Sequence, residues 1–252
     1  MPNLTLNFRP ESLGSGTPVN IYLPDVIVDD MPVLYLLHGM HGDHNSWING
    51  SAIGRYARAR GMAVIMPSVG NSFYANQKHG CRYHDYVSFE LPEYIGKLLP
   101  FITKKREKTF IAGLSMGGYG AVKIALRNPD RFSAAASLSG CLDMNVDVKA
   151  TDEGWDNICI CNWGENYMTD MPGSEEDLLH LVDTFPADKP KPRLYVACGT
   201  EDFLYSQNIT FREHLKGKGF ESLYQEGPGA HTWDFWDKWI VPAIEFFFNE
   251  KK

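Results

Sequence analysis

The pentapeptide Gly113-Leu114-Ser115-Met116-Gly117 restricts this chain more than any other feature. It follows a short apolar run, residues 110–112, and opens a stretch with helical spacing, residues 116–128. A serine caught between a strand and a helix sits in a strained turn, and the residues two before and two after it must be small for the backbones to clear each other. Gly113 and Gly117 meet that need, Gly118 and Gly120 let the following helix lie close on the sheet, and Pro129 ends it. The helix start also offers free N–H groups and positive potential where negative charge develops on a substrate oxygen. The motif therefore demands a strand-turn-helix unit that raises a serine hydroxyl at the carboxyl end of a strand.

The rest of the chain supplies the sheet for such a unit. Short β-branched or apolar runs at 19–23, 33–37, 63–66, 134–138, 194–197 and 222–225 predict strands. Helical spacing at 47–60, 86–99, 206–216 and 233–249 lies between or after them. Alternating strand and helix predicts a mainly parallel sheet with helices on both faces. Residues 4–8 and 19–23, joined by a Gly/Ser/Pro turn with no helix, predict an antiparallel hairpin at the sheet edge. No repeat or linker divides the chain, so residues 1–252 are expected to form one domain. Residues 143–191 are too long for a simple crossover and are expected to be a small cap-like insertion after the sixth strand, with a helix over 174–184 capped by Ser174.

A serine hydroxyl becomes a nucleophile at neutral pH when a histidine takes its proton and a carboxylate fixes the histidine's tautomer. The run 194–197 ends in Cys198-Gly199-Thr200-Glu201-Asp202, placing two carboxylates at a strand's carboxyl end. Asp202 is the expected acid, with Glu201 as the alternative. His231, in the glycine-rich stretch Gly227-Pro228-Gly229-Ala230-His231 before the last helix, is the expected base. The oxyanion hole requires a backbone N–H from the residue after the nucleophile, Met116, and one from the loop His38-Gly39-Met40-His41-Gly42, where Met40 is the expected donor. Phe73, Tyr74 and Trp163, in ring-rich loops, and Trp233, two residues past the base, are candidate substrate contacts.

Other groupings weigh less. His38, His41 and His44 with Asp43 have a spacing compatible with zinc, but a cation beside a loop that must donate to an oxyanion serves it poorly, so no metal and no cofactor are expected. Cys159 and Cys161 lack a second ligand pair and read as free thiols. Five cysteines, an odd number in 252 residues, favour a reducing, cytoplasmic setting. The N-terminus has neither the charged start nor the apolar stretch of a secretory signal, and no run approaches membrane-spanning length. A net charge of −7 argues against nucleic acid and anionic membranes as partners. The expected partner is a small-molecule ester; homo-oligomers are left open.

The runs Pro32-Val33-Leu34-Tyr35-Leu36-Leu37-His38-Gly39-Met40, residues 105–120 and Gly229-Ala230-His231-Thr232-Trp233-Asp234-Phe235-Trp236 resemble the esterase D or S-formylglutathione hydrolase-like branch of the α/β-hydrolase superfamily, nearest bacterial tributyrin and acetyl esterases. The resemblance implies an α/β-hydrolase fold, a triad of Ser115, Asp202 and His231, and oxyanion donors Met40 and Met116. It implies a serine carboxylesterase acting on short acyl groups, acetyl to butyryl. S-formylglutathione thioester hydrolysis, feruloyl or acetyl-xylan ester cleavage, and a catalytically silent binding protein on the same scaffold are the alternatives.

Overall fold

In the computed structural model, residues 3–144 and 154–249 are described. Eight strands form one sheet: β1 Asn3–Phe8, β2 Thr17–Tyr22, β3 Val33–Leu37, β4 Ala63–Pro67, β5 Thr109–Leu114, β6 Ala134–Leu138, β7 Arg193–Gly199 and β8 Ser222–Gly227. Their order is β1-β2-β4-β3-β5-β6-β7-β8. β1 pairs antiparallel with β2, and β2 antiparallel with β4, while the pairs from β4 through β3 to β8 are parallel. The expected edge hairpin and parallel sheet are both present.

Strands β3, β5 and β6 are buried at every position, as parallel strands covered on both faces must be. Alternate residues feed two cores. Val33, Tyr35, Leu37 and Ile111 face one cluster, and Leu34, Leu36, Phe110 and Ala112 face the other. The helices are α1 Ser46–Gly50, α2 Ile53–Ala59, α3 Tyr83–Asp85, α4 Leu91–Leu98, α5 Met116–Arg127, α6 Trp155–Trp163, α7 Tyr167–Asp170, α8 Leu178–Asp183, α9 Tyr205–His214 and α10 Trp233–Phe248. α1, α2 and α10 cover the second cluster, while α4, α5, α8 and α9 cover the first. Among the described residues, no helix is long and apolar enough to cross a membrane.

Three sequence expectations about helices need correction. The helix expected over 47–60 is two, because the Ser51 hydroxyl donates to the Trp47 carbonyl and accepts the Ile53 N–H, while Asp237 of α10 accepts the Ala52 N–H at 2.7 Å. The helix expected to begin at 86 begins at α3 and passes through a π-helical turn, Tyr86–Glu90, before α4. The helix expected from Ser174 begins at Leu178, because Asp177 rather than Ser174 caps it, accepting from the N–H groups of Leu179 and His180. Ser174 instead accepts the Glu176 N–H at 3.1 Å within the preceding turn.

The expected insertion 143–191 lies between β6 and β7; its residues 145–153 are outside the described residues. The segment from Trp163 to Glu176 is docked on α5 by a buried ion pair. The Lys123 ammonium, fully buried, lies 2.6 Å from Glu176 and donates to the Phe73 carbonyl at 3.0 Å. Tyr119 and Trp163 also donate to the Glu176 carboxylate, at 3.0 and 3.1 Å. Burial pushes the Lys123 ammonium down. Burial works against ionised Glu176 as well, but the charge of Lys123 and the surrounding donors keep it below the ordinary carboxylate range.

Candidate active site

Ser115 has φ 54° and ψ −121°, a backbone conformation rare for a residue with a side chain, and it joins β5 to α5. Its N–H donates to the Leu138 carbonyl of β6 at 2.9 Å, which ties the turn to the neighbouring strand. The first turn of α5 lies so close to the end of β3 that a Cβ on Gly117 would stand 2.5 Å from the Leu37 carbonyl oxygen and 2.6 Å from that of His38. Glycine at 117 is therefore what lets the Ser115 turn touch the loop after β3. Gly120 differs from the sequence reading: it makes room for the Tyr74 ring rather than for the sheet.

β7 ends in the turn that carries Asp202, and the loop after β8 carries His231. The His231 Nδ1 lies 2.9 and 3.1 Å from the two Asp202 oxygens, and its Nε2 lies 3.0 Å from Ser115 Oγ. An ionised carboxylate only accepts, so Nδ1 carries the proton and Nε2 presents a lone pair to the serine hydroxyl. Asp202 is buried and also accepts the Leu204 N–H at 2.9 Å. Glu201, the alternative acid, points elsewhere. Its Oε2 accepts the Gly229 N–H at 2.6 Å while its own N–H donates to the Gly229 carbonyl at 3.1 Å, clamping the loop two residues before His231. That hydrogen bond is the chief cause holding the Glu201 carboxyl below its ordinary range.

The loop after β3 is built around His38. The Val69 N–H donates to His38 Nε2 at 3.1 Å, so Nδ1 bears the proton and donates to the Gly39 carbonyl at 2.7 Å. The Gly39 carbonyl and the Met40 N–H are opposite ends of one planar peptide, so anchoring the first fixes the plane of the second. The Tyr74 hydroxyl donates to the His38 carbonyl at 2.8 Å, and the His41 N–H donates to Asn71 Oδ1 at 2.8 Å. A Cβ on Gly39 would stand 3.3 Å from that of Ser115, so this loop passes directly against the serine. Met40 is half-buried on it, and Met116 opens α5. Burial pushes the His38 imidazole below its ordinary pKa. With both ring nitrogens engaged, His38 has no lone pair to offer a metal.

The four candidate substrate contacts take unequal places. Phe73 and Tyr74 are fully buried, at φ 49° and 53°. The Phe73 ring packs edge-on against Tyr119 and Trp155, so both residues support the site from beneath instead of lining a loop surface. Trp163, half-buried, tilts against Phe73 with ring centroids 5.2 Å apart. Trp233 packs on Trp47 and Trp236, each at 5.3 Å, and it is Trp236 that meets the His231 ring edge-on at 4.9 Å. On another side of the imidazole stands Phe203, 4.6 Å away, which the sequence reading missed. Position next to the acid was its only signal. Cys159 is buried and Cys161 half-buried; both are free thiols, and burial pushes the Cys159 thiol up to about 12.

A concavity of about 1290 Å³ lies away from Ser115, at the other ends of β5 and α5, bordered by Thr109, Asn128 and Phe185. A smaller one of about 240 Å³ adjoins the supports of the loop after β3 and is lined in part by Val69, Asn71, Asn157 and Ile158.

Residues 10–247 match the family model described as "Putative esterase". An acetyl esterase of Caldicellulosiruptor saccharolyticus is 33% identical over 261 residues, covering 98% of both chains. Among solved structures, the fluorophosphonate-binding serine hydrolase FphF of Staphylococcus aureus superposes with a TM-score of 0.89 at 34% identity, covering 99% of each chain. The S-formylglutathione hydrolase FrmB of the same organism gives 0.86 at 34% identity, covering 98% of this chain and 99% of its own.

Proposed function

The chain belongs to the esterase family and is a carboxylic-ester hydrolase of the α/β-hydrolase fold, and we propose that it cleaves short-chain acyl esters, acetyl to butyryl, through an acyl-enzyme on Ser115. One observation carries this reading: the Ser115 hydroxyl, His231 and Asp202 form an unbroken hydrogen-bonded line. Ser115 Oγ attacks the ester carbonyl as its proton passes to His231 Nε2, and Asp202 stabilises the resulting imidazolium. The N–H groups of Met40 and Met116 receive the negative oxygen, a stabilisation worth roughly 3–4 kcal/mol per donor in comparable sites. Collapse of the adduct expels the alcohol oxygen, which takes the proton from His231. Water then repeats the sequence on the acyl-enzyme, releasing the acid and restoring Ser115.

The preference for short acyl groups is supported by the small scale of what surrounds the oxyanion loop. The described helices between β6 and β7 have nine, four and six residues. The cavity beside the loop is smaller than the ~300 Å³ at which drug-sized pockets begin. The acetyl esterase relative points the same way. Within this reading residues 1–252 are one domain, 143–191 is its cap, and the five free thiols support a reducing, cytoplasmic setting. The likeness to an S-formylglutathione hydrolase favours a second reading, thioester hydrolysis by the same residues.

Initial rates on acetyl, butyryl, octanoyl, feruloyl and S-formylglutathione substrates separate these readings. Each buried methylene adds roughly 0.8 kcal/mol of binding, so a deep tunnel gives kcat/KM rising steadily to octanoyl. A maximum at acetyl to butyryl is expected; one at octanoyl refutes the short-chain reading, and one at S-formylglutathione or feruloyl reassigns the substrate. Ser115→Ala is expected to lose several orders of magnitude, and a fluorophosphonate to label Ser115 and no other serine. Dialysis against EDTA is expected to leave the rate unchanged, and a loss restored by zinc would return attention to His38, His41 and His44.

A further inference from the structure

Phe203 is 70% exposed, yet its ring lies 4.6 Å from that of His231 at 48°. An exposed apolar ring standing alone on a surface needs no explanation. This one is held against the base. The Asp202 N–H donates to the Gly199 carbonyl at 3.1 Å, the Tyr205 N–H donates to the Asp202 carbonyl at 3.0 Å, and the Leu204 N–H donates to the Asp202 carboxylate. Both neighbours of Phe203 are therefore fixed, and Leu204 is buried.

The chemistry gives that position a meaning. When the tetrahedral adduct collapses, the proton on His231 Nε2 must reach the leaving oxygen, which brings that oxygen within about 3 Å of Nε2. Whatever the oxygen carries must then leave the site past the imidazole. Asp202 closes the Nδ1 side, and Trp236, nearly buried, closes another. The exposed ring beside the imidazole is Phe203.

We propose that Phe203 is a specificity-determining residue: its free ring is the contact surface for the alcohol part of the ester and selects benzyl-type alcohols over aliphatic ones of the same size. Aromatic pairs gain from offset or edge-on contact beyond the area they bury, and an aliphatic ring does not. The proposal rests on the assignment of His231 as the general acid of acylation, and it names the substrate class on the leaving-group side of that site.

Benzyl acetate and cyclohexylmethyl acetate share their acyl group, differ little in size and release alcohols of similar acidity. Their kcat/KM ratio is measured for the native enzyme, Phe203→Leu and Phe203→Trp. The native enzyme is expected to favour the benzyl ester by about 2- to 12-fold, the range an aromatic contact supplies. Leucine, apolar but without a ring, should bring the ratio to near one, and tryptophan should keep it. A native ratio near one, or an unchanged ratio in Phe203→Leu, overturns the proposal. If acetates prove poor substrates, the short-acyl reading fails by itself and the same ratio is taken on esters of the preferred acid. Failure of fluorophosphonate to label Ser115 would instead overturn the triad on which the proposal stands.

Discussion

Replacing His38 with alanine tests whether its buried imidazole sets the proposed oxyanion hole. His38 is 1% exposed, and each ring nitrogen holds a backbone group, the Val69 N–H and the Gly39 carbonyl. Alanine leaves both without partners, and a buried group so stranded costs about 1–3 kcal/mol, so roughly 2–6 kcal/mol in all. At about 2–4 °C per kcal/mol for a chain of this size, Tm should fall by roughly 4–24 °C. Freed of the Gly39 anchor, the Gly39–Met40 peptide turns, and loss of one oxyanion donor lowers kcat by about 10²–10³. KM should move little, because the donor acts most strongly on the transition state. The assay is kcat and KM on phenyl acetate well below the variant's Tm, beside a thermal unfolding curve. Tyr74→Phe is the control: it strands the His38 carbonyl, one peptide earlier, and should lower Tm with a far smaller fall in kcat. A His38→Ala enzyme that is less stable but keeps kcat within about threefold, a change under 1 kcal/mol, refutes the link between His38 and Met40.

Gly117→Ala places a Cβ 2.5 Å from the Leu37 carbonyl, so α5 must back away from β3; overpacking of this kind costs about 1–3 kcal/mol, and both Tm and kcat/KM are expected to drop. Lys123→Met removes the nearer of the two cations facing buried Glu176 and leaves only Arg127, 3.6 Å away, so a loss at or below the roughly 3–5 kcal/mol of a broken buried pair is expected in urea unfolding, and adding Glu176→Gln should restore part of it; additive losses in this double-mutant cycle would show the two are uncoupled. Burial, the leading cause, with the nearby charges of Arg127 and Lys123, pushes the His84 imidazole from 6.5 down to about 4. Between those values the unfolded chain binds the extra proton, so stability is full above about pH 6.5 and declines as pH falls, by roughly 3 kcal/mol on reaching the folded value. Urea unfolding at pH 7 and pH 5 should show most of that loss, and His84→Gln should remove it.

The elements that could be read along the chain are those whose cause is local. The strands β3 and β4 are continuous apolar runs, and the turn at Ser115 announces itself because small residues must flank a strained serine. Asp202 and His231 were visible for a similar reason: each follows a strand and sits in a turn-forming segment, where functional groups of parallel sheets gather. Their meeting was not visible. Ser115 and His231 are 116 residues apart, and a distance of 3.0 Å between them is set by the packing of β5, β6, β7 and β8. Lys123 is buried through its pairing with Glu176, 53 residues on in the chain. Phe73 and Tyr74 read as loop rings for a substrate, whereas positive φ at both positions goes with rings turned into the core, against α5 and the loop after β3. Ser174 reads as the cap of the helix before β7, whereas Asp177 takes that place in the fold, its carboxylate also accepting the Gly173 N–H at 3.0 Å. Sequence determined the strand-turn-helix grammar and the kinds of groups that do the chemistry, because strain and burial act over a few residues. Tertiary structure alone decided which polar groups meet and which rings are buried, because hydrogen bonds and packing depend on distances that chain order does not contain.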